Sequence, residues 1–155
     1  MKRALCIVVP LLSFAAGIGV GFEVQSMVAA HYAREIAVSN AWKPDNREIT
    51  LPVGEHEYEV AWSAALAELV GGEAEHRLPE RTRVDVLTDK YAVEVDWVGK
   101  FEEGIGQALR YSYATGKEPV VALGLKGDWS PEELETARRV CRKNRIHVWK
   151  LRAAE

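Results

Sequence analysis

The stretch that decides the fold is residues 82–111, TRVDVLTDKYAVEVDWVGKFEEGIGQALRY. Residues 81–87 (RTRVDVL) read as a strand, Thr88-Asp89-Lys90 as its turn, and residues 91–97 (YAVEVDW) as a second strand. Strict alternation in the second strand sets Tyr91, Val93, Val95 and Trp97 on one face and Ala92, Glu94 and Asp96 on the other. Asp85 and Glu94 then stand at comparable height across a tight hairpin. Two carboxylates that close repel unless a proton or cation neutralises them. Oxygen donors suit hard divalent ions such as magnesium, with manganese as a substitute, so the pair points to phosphodiester chemistry.

Outward from this hairpin the pattern is regular. Tyr58, Trp62, Ala65, Leu66 and Leu69 recur at helical spacing, and Gly71-Gly72 stops that helix. Residues 75–78 form a short strand, and residues 100–115 a helix closed by Gly116. Residues 119–125 (PVVALGL) are continuously apolar, as in a strand buried on both faces. Ser130-Pro131-Glu132-Glu133 is a strong helix start, and residues 145–151 (RIHVWKL) are a last strand. The expected class is α/β (α+β): a mixed central sheet flanked by helices, with hairpin pairing first and helical crossovers later.

The N-terminal part differs in kind. Lys2 and Arg3 precede residues 4–22, which carry no charge. A run of that length matches the ~20 residues a membrane-crossing helix needs. A single anchor is the first expectation, and a signal peptide cleaved near Val28-Ala29-Ala30 the second. Either way the positive flank predicts an extracytoplasmic domain, membrane-anchored or secreted into the periplasm. Residues 1–22 are thus assigned to anchor or signal, 23–53 to a helical linker, and 54–155 to the folded domain.

Composition excludes less. A formal charge of −3 argues against a generally cationic nucleic-acid binder, so such a surface must be local. Arg138, Arg139, Arg142, Lys143, Arg145, Lys150 and Arg152 crowd the C-terminal segment. Helix-dipole complementarity and solvation are the first account of that cluster. Cys6, Cys141 and the four histidines lack metal-ligand spacing, which argues against zinc, and no small-molecule cofactor motif is present. Trp62, Trp97, Trp129 and Trp149 read as core or near-core residues.

The element order and the acidic pair resemble the PD-(D/E)xK nuclease superfamily, and its RecB-like branch through Gln107-x-x-x-Tyr111. The resemblance spans roughly residues 54–151 and implies a restriction-endonuclease-like αβββαβ core with a C-terminal αβ extension. It implies Asp85 and Glu94 as magnesium ligands in nucleic-acid hydrolysis, DNA before RNA, with Gln107 and Tyr111 in support. A glutamate from the first long helix also assists in such enzymes, and Glu57 and Glu59 are the candidates. Where the family pattern calls for lysine, this chain has Asp96. Three accounts stand open. Lys100 supplies the ammonium from the next helix; Asp96 is a third carboxylate; or the chemistry is lost, leaving an anchored interaction module that retains the fold.

Overall fold

The computed structural model describes residues 27–31, 33 and 42–154. The uncharged residues 4–22 lie outside the described residues. Among the described residues, no helix is long and apolar enough to cross a membrane. Residues 27–31 are helical and exposed. The larger compact unit runs from Lys43 to the C-terminus.

That unit is a six-stranded mixed sheet flanked by three α-helices. In chain order it comprises β1 (Arg47–Leu51), α1 (Glu59–Val70), β2 (Glu73–Arg77), β3 (Arg83–Leu87), β4 (Tyr91–Trp97), a 3-10 turn (Val98–Lys100), α2 (Phe101–Thr115), β5 (Glu118–Gly124), α3 (Pro131–Lys143) and β6 (His147–Ala153). Strands lie in the order β1-β6-β5-β4-β3-β2. β2, β3 and β4 pair antiparallel, whereas β4–β5, β5–β6 and β1–β6 are parallel. Parallel neighbours need long crossovers, and α2 and α3 are those crossovers.

The alternation read in residues 91–97 holds in three dimensions. Tyr91, Val93 and Val95 enter a core with Trp62 and Leu66 of α1 and Trp149 of β6, and Trp97 packs against it. Along β5, Val120 and Ala122 join that core, while Val121 and Leu123 join a second with Ala108, Leu134 and Ile146. A strand buried on both faces cannot alternate with polar residues, which is why residues 119–125 read as one apolar run. On α1 the buried stripe is Trp62, Ser63, Leu66 and Ala67, whereas Tyr58 and Leu69 face solvent. The apolar residues of this stretch extend around most of the helix, so helical spacing alone does not pick out its buried side.

α3 begins as the sequence dictates: the Ser130 hydroxyl accepts from Glu133 N–H, and the Glu133 carboxylate accepts from Ser130 N–H. β1 was not anticipated and falls within the stretch expected to be a linker. Its short sequence REITL is mostly exposed and sits at the sheet edge, so its local signal is weak. Tertiary bonds fix it. Asp45 N–H donates to His147 Nδ1 at 2.8 Å, which leaves the proton on Nε2 to meet Glu118 Oε2 at 2.8 Å. Tyr91 O–H donates to Asp45 Oδ2 at 2.7 Å, and Arg47 clamps the same carboxylate.

Packing between β4, β5 and α1 leaves one position no slack. A Cβ on Gly124 would collide with the Trp97 ring, which meets Trp62 edge-on at a centroid distance of 5.2 Å. Gly124→Ala should cost about 1–3 kcal/mol of stability, the usual penalty of overpacking, seen as a lower urea midpoint at unchanged slope. An unchanged midpoint would contradict this packing.

Candidate active site

Three carboxylates lie in the sheet interior: Asp85, Glu94 and Asp96 are 8%, 3% and 4% exposed. Each is there because of strand phase. Ala92, Glu94 and Asp96 share the face of β4 beneath α2, where Tyr111 packs on Ala92 and Gly104 on Asp96. The β3–β4 ladder pairs Leu87 with Ala92 and Val86 with Val93, and just beyond its end the Asp85 and Glu94 carboxyls come together in one cleft.

The backbone is irregular at that point. Main-chain pairing between β3 and β4 stops after Val86, and Asp85 Oδ2 instead accepts from Val95 N–H at 2.8 Å. On the other side, the β2–β3 register passes over Glu75, whose φ of 57° is left-handed. Asp85 therefore sits where the sheet opens on both flanks. A cleft of about 400 Å³ occupies the opening, lined by Glu59, Asp85, Glu94, Gln107 and Tyr111.

Electrostatics follow from burial. Desolvation raises the Glu94 carboxyl from 4.5 to about 9, and the adjacent Asp85 charge adds to the rise. Desolvation likewise raises Asp85 from 3.8 to about 6, against the Val95 N–H bond, which favours the ionised form. Burial also raises Glu59, helped by Asp85 and Asp96 and opposed by Lys100. The Tyr111 phenol is pushed to about 12 by burial, then by Glu94 and Asp85. At neutral pH the Asp85–Glu94 pair holds a proton between its two carboxyls, which hydrogen-bond to one another. Beyond that pairing, Glu94 Oε2 is buried and takes no donor from the rest of the protein. A buried oxygen without a partner is costly, and a ligand removes that cost.

The residues expected to act together divide into two groups. Gln107 and Tyr111 line the cleft one helical turn apart, with Tyr111 O–H donating to Gln107 Oε1 at 3.3 Å. Glu59, the first residue of α1, lines it as well, whereas Glu57 is exposed and engaged through its main chain, its N–H donating to Gly54 C=O at 3.1 Å and its carbonyl accepting from Lys126 Nζ at 2.8 Å. Asp96 does not line the cleft: its Oδ1 accepts from Trp97 N–H at 2.7 Å, beneath Gly104. Lys100 is exposed at the end of the 3-10 turn and makes no ion pair among the described residues. Burial raises the Asp96 carboxyl above its ordinary value, opposed by the Trp97 N–H bond and by Lys100, which also opposes the rise at Glu59.

The sequence reading missed the cleft's basic rim of Arg77, Arg81, Arg83 and Arg110. Arg83 pairs with Glu75 at 2.6 Å, and Arg81 holds a left-handed φ of 68° at the β2–β3 turn. Three arginines within seven residues of the chain, flanking the strand that carries Asp85, were the available signal.

Among the described residues, no group of three or more His, Cys, Asp or Glu side chains is arranged to share a metal ion. The donor set still suits magnesium, which usually takes one or two carboxylates and fills its other positions with water and substrate oxygens. No family model, curated protein or solved structure matches this chain. What stands is the class: a mixed α/β sheet flanked by helices, with a buried acidic pair opening into an arginine-rimmed cleft.

The raised carboxyls tie stability to pH. The fold favours protonated Glu94, so this contribution is complete below about 4.5 and is lost as pH rises to about 9; the Asp85 part is lost through about 6. Without divalent cations, the melting temperature should fall between pH 5 and pH 9, and Glu94→Gln should flatten the profile and melt higher than wild type at pH 9. A wild-type profile already flat would contradict the buried pair.

Proposed function

We propose that the chain is a metal-dependent nuclease with a restriction-endonuclease-like fold, hydrolysing phosphodiester bonds of nucleic acid, DNA in the first instance. The carrying observation is the unpartnered, buried Oε2 of Glu94 set against Asp85 in a cleft ringed by four arginines. The αβββαβ order from α1 to β5 and the Gln107–Tyr111 pair on α2 support the same reading.

Asp85 and Glu94 would hold magnesium or manganese, which supplies charge for the phosphoryl oxygens and acidifies water. The protein residues do the remaining work. Arg77, Arg81 and Arg110 draw the phosphodiester backbone into the cleft and neutralise its charge. Gln107, oriented by Tyr111, offers its amide N–H groups to a phosphate oxygen or a water. Glu59, whose carboxyl burial raises above its ordinary value, lines the cleft within reach of an attacking water, to which it would hydrogen-bond. Lys100, outside the cleft, would supply positive charge through its flexible stem. The uncharged residues 4–22 support tethering at, or export across, a membrane, with the domain on the extracytoplasmic side.

One observation favours a second reading, a catalytically degenerate interaction module: the position expected to hold an ammonium bears Asp96, whose carboxylate is engaged by Trp97 N–H. Cleavage separates the two. With full-length protein in nonionic detergent and labelled single- and double-stranded DNA, magnesium-dependent cutting is expected. It should fall by about 10²-fold or more in Asp85→Asn and Glu94→Gln, and about tenfold in Lys100→Ala, as for lost charge stabilisation. Folded wild type that binds magnesium without cutting would favour the degenerate module. Neither binding nor cutting would overturn the metal site as well.

A further inference from the structure

The C-terminal cationic cluster does not stay together in the fold. Lys150 and Arg152 of β6 pair with Glu48 of β1, and Arg145 lies in the turn after α3 with a left-handed φ of 56°. The others, Arg138, Arg139, Arg142 and Lys143, line one groove of about 630 Å³ between α3 and the chain leading into β1. Its floor is the buried Ile146 and Val148, and Asn46 stands on the opposite wall. Four cations face it against one carboxylate, Glu135, in a chain whose net charge is −3.

Dipole complementarity explains only part of this. Arg142 and Lys143 occupy the last turn of α3, where cations are favoured, but Arg138 and Arg139 come before it. Those two are held in place: Arg138 pairs with Glu135 at 2.6 Å, and Arg139 Nη2 donates to Thr136 Oγ1 at 3.1 Å. Arg142 and Lys143 have no acidic partner among the described residues. Arg138 and Arg142 lie one turn apart, about 6 Å along the helix, so the groove presents positive charge along a line.

We propose that this groove docks the phosphate backbone of a nucleic acid strand, as a second contact separate from the carboxylate cleft; the choice of partner rests on the nuclease reading above. A strand fits better than a lipid surface for two reasons. The site is concave, and none of the large exposed apolar side chains among the described residues lines it, so nothing there would insert into a bilayer. Guanidinium groups also match phosphate oxygens two at a time. The groove lies at the β6–β1 side of the sheet, whereas Asp85 and Glu94 lie on β3 and β4, so a strand bound here extends the protein's footprint beyond the scissile bond.

The test is fluorescence anisotropy of a labelled 30-nucleotide DNA strand with full-length protein in nonionic detergent and EDTA, so that binding is read without cutting. Arg142→Gln/Lys143→Gln should weaken binding at least tenfold at low salt and make the log–log salt slope shallower by about 2, near 0.7–0.9 per contact. The charge-preserving Arg142→Lys/Lys143→Arg should bind as wild type. Unchanged binding by the glutamine pair would overturn the proposal. So would equal loss in the charge-preserving pair, which would mark a packing defect. Retained DNA binding with lost binding to phosphatidylglycerol vesicles would overturn it in favour of a membrane surface. The nuclease reading fails separately: groove-dependent binding without magnesium-dependent cutting removes that reading and keeps the groove, and cutting without groove dependence does the reverse.

Discussion

Everything in this fold is arranged around β4, a central strand buried on both faces with unlike chemistry on each. Its Tyr91, Val93 and Val95 face supplies much of the core against α1, at roughly 1.5–3 kcal/mol for each large apolar side chain removed from water. The opposite face carries Glu94 and Asp96 into the space beneath α2. Strand geometry forbids separating these functions. Two-residue alternation means that the register that buries the valines also buries the acids. The fold tolerates this because each acid has a specific accommodation: a main-chain N–H for Asp85 and for Asp96, a proton shared with Asp85 for Glu94.

These accommodations are not equivalent. Asp96 is settled, with its carboxylate bonded to the next residue's amide under the close approach of Gly104. It reads as part of the scaffold. Asp85 and Glu94 are unsettled, held where β3 parts from β4 and where β2 twists through a left-handed Glu75. A sheet that opens at its acidic pair gives a ligand access without exposing the rest of the core. Rigid strands on either side keep the carboxylates fixed, which suits a site whose ligand is a compact charge.

Around that opening the charge changes sign, from Glu59, Asp85 and Glu94 to the four arginines that share the lining. A polyanion meets the arginines first, and only a cation or proton relieves the interior. The basic groove beside α3 differs because it holds a single carboxylate and no buried acid. The two regions are thus chemically distinct, although both concentrate arginine in a chain of negative net charge.

Sequence alone determined the local grammar. Hairpin spacing, the β4 alternation, the apolar run of β5 and the Ser130–Glu133 capping box were legible because each is set by neighbours within a few residues. The pairing of Asp85 with Glu94 was legible too, since one short turn fixes the register. Tertiary structure decided the rest. Edge strand β1 depends on Asp45 reaching His147 across the fold, which no local pattern encodes. Glu59 rather than Glu57 reaches the cleft because packing fixed the rotation of α1. Lys100 stands outside the cleft, and Arg77, Arg81, Arg83 and Arg110 inside its rim, because strand twist and helix placement set those directions. The dividing line is sequence separation. Short-range geometry follows from backbone periodicity, whereas convergence of distant side chains waits on how the layers pack.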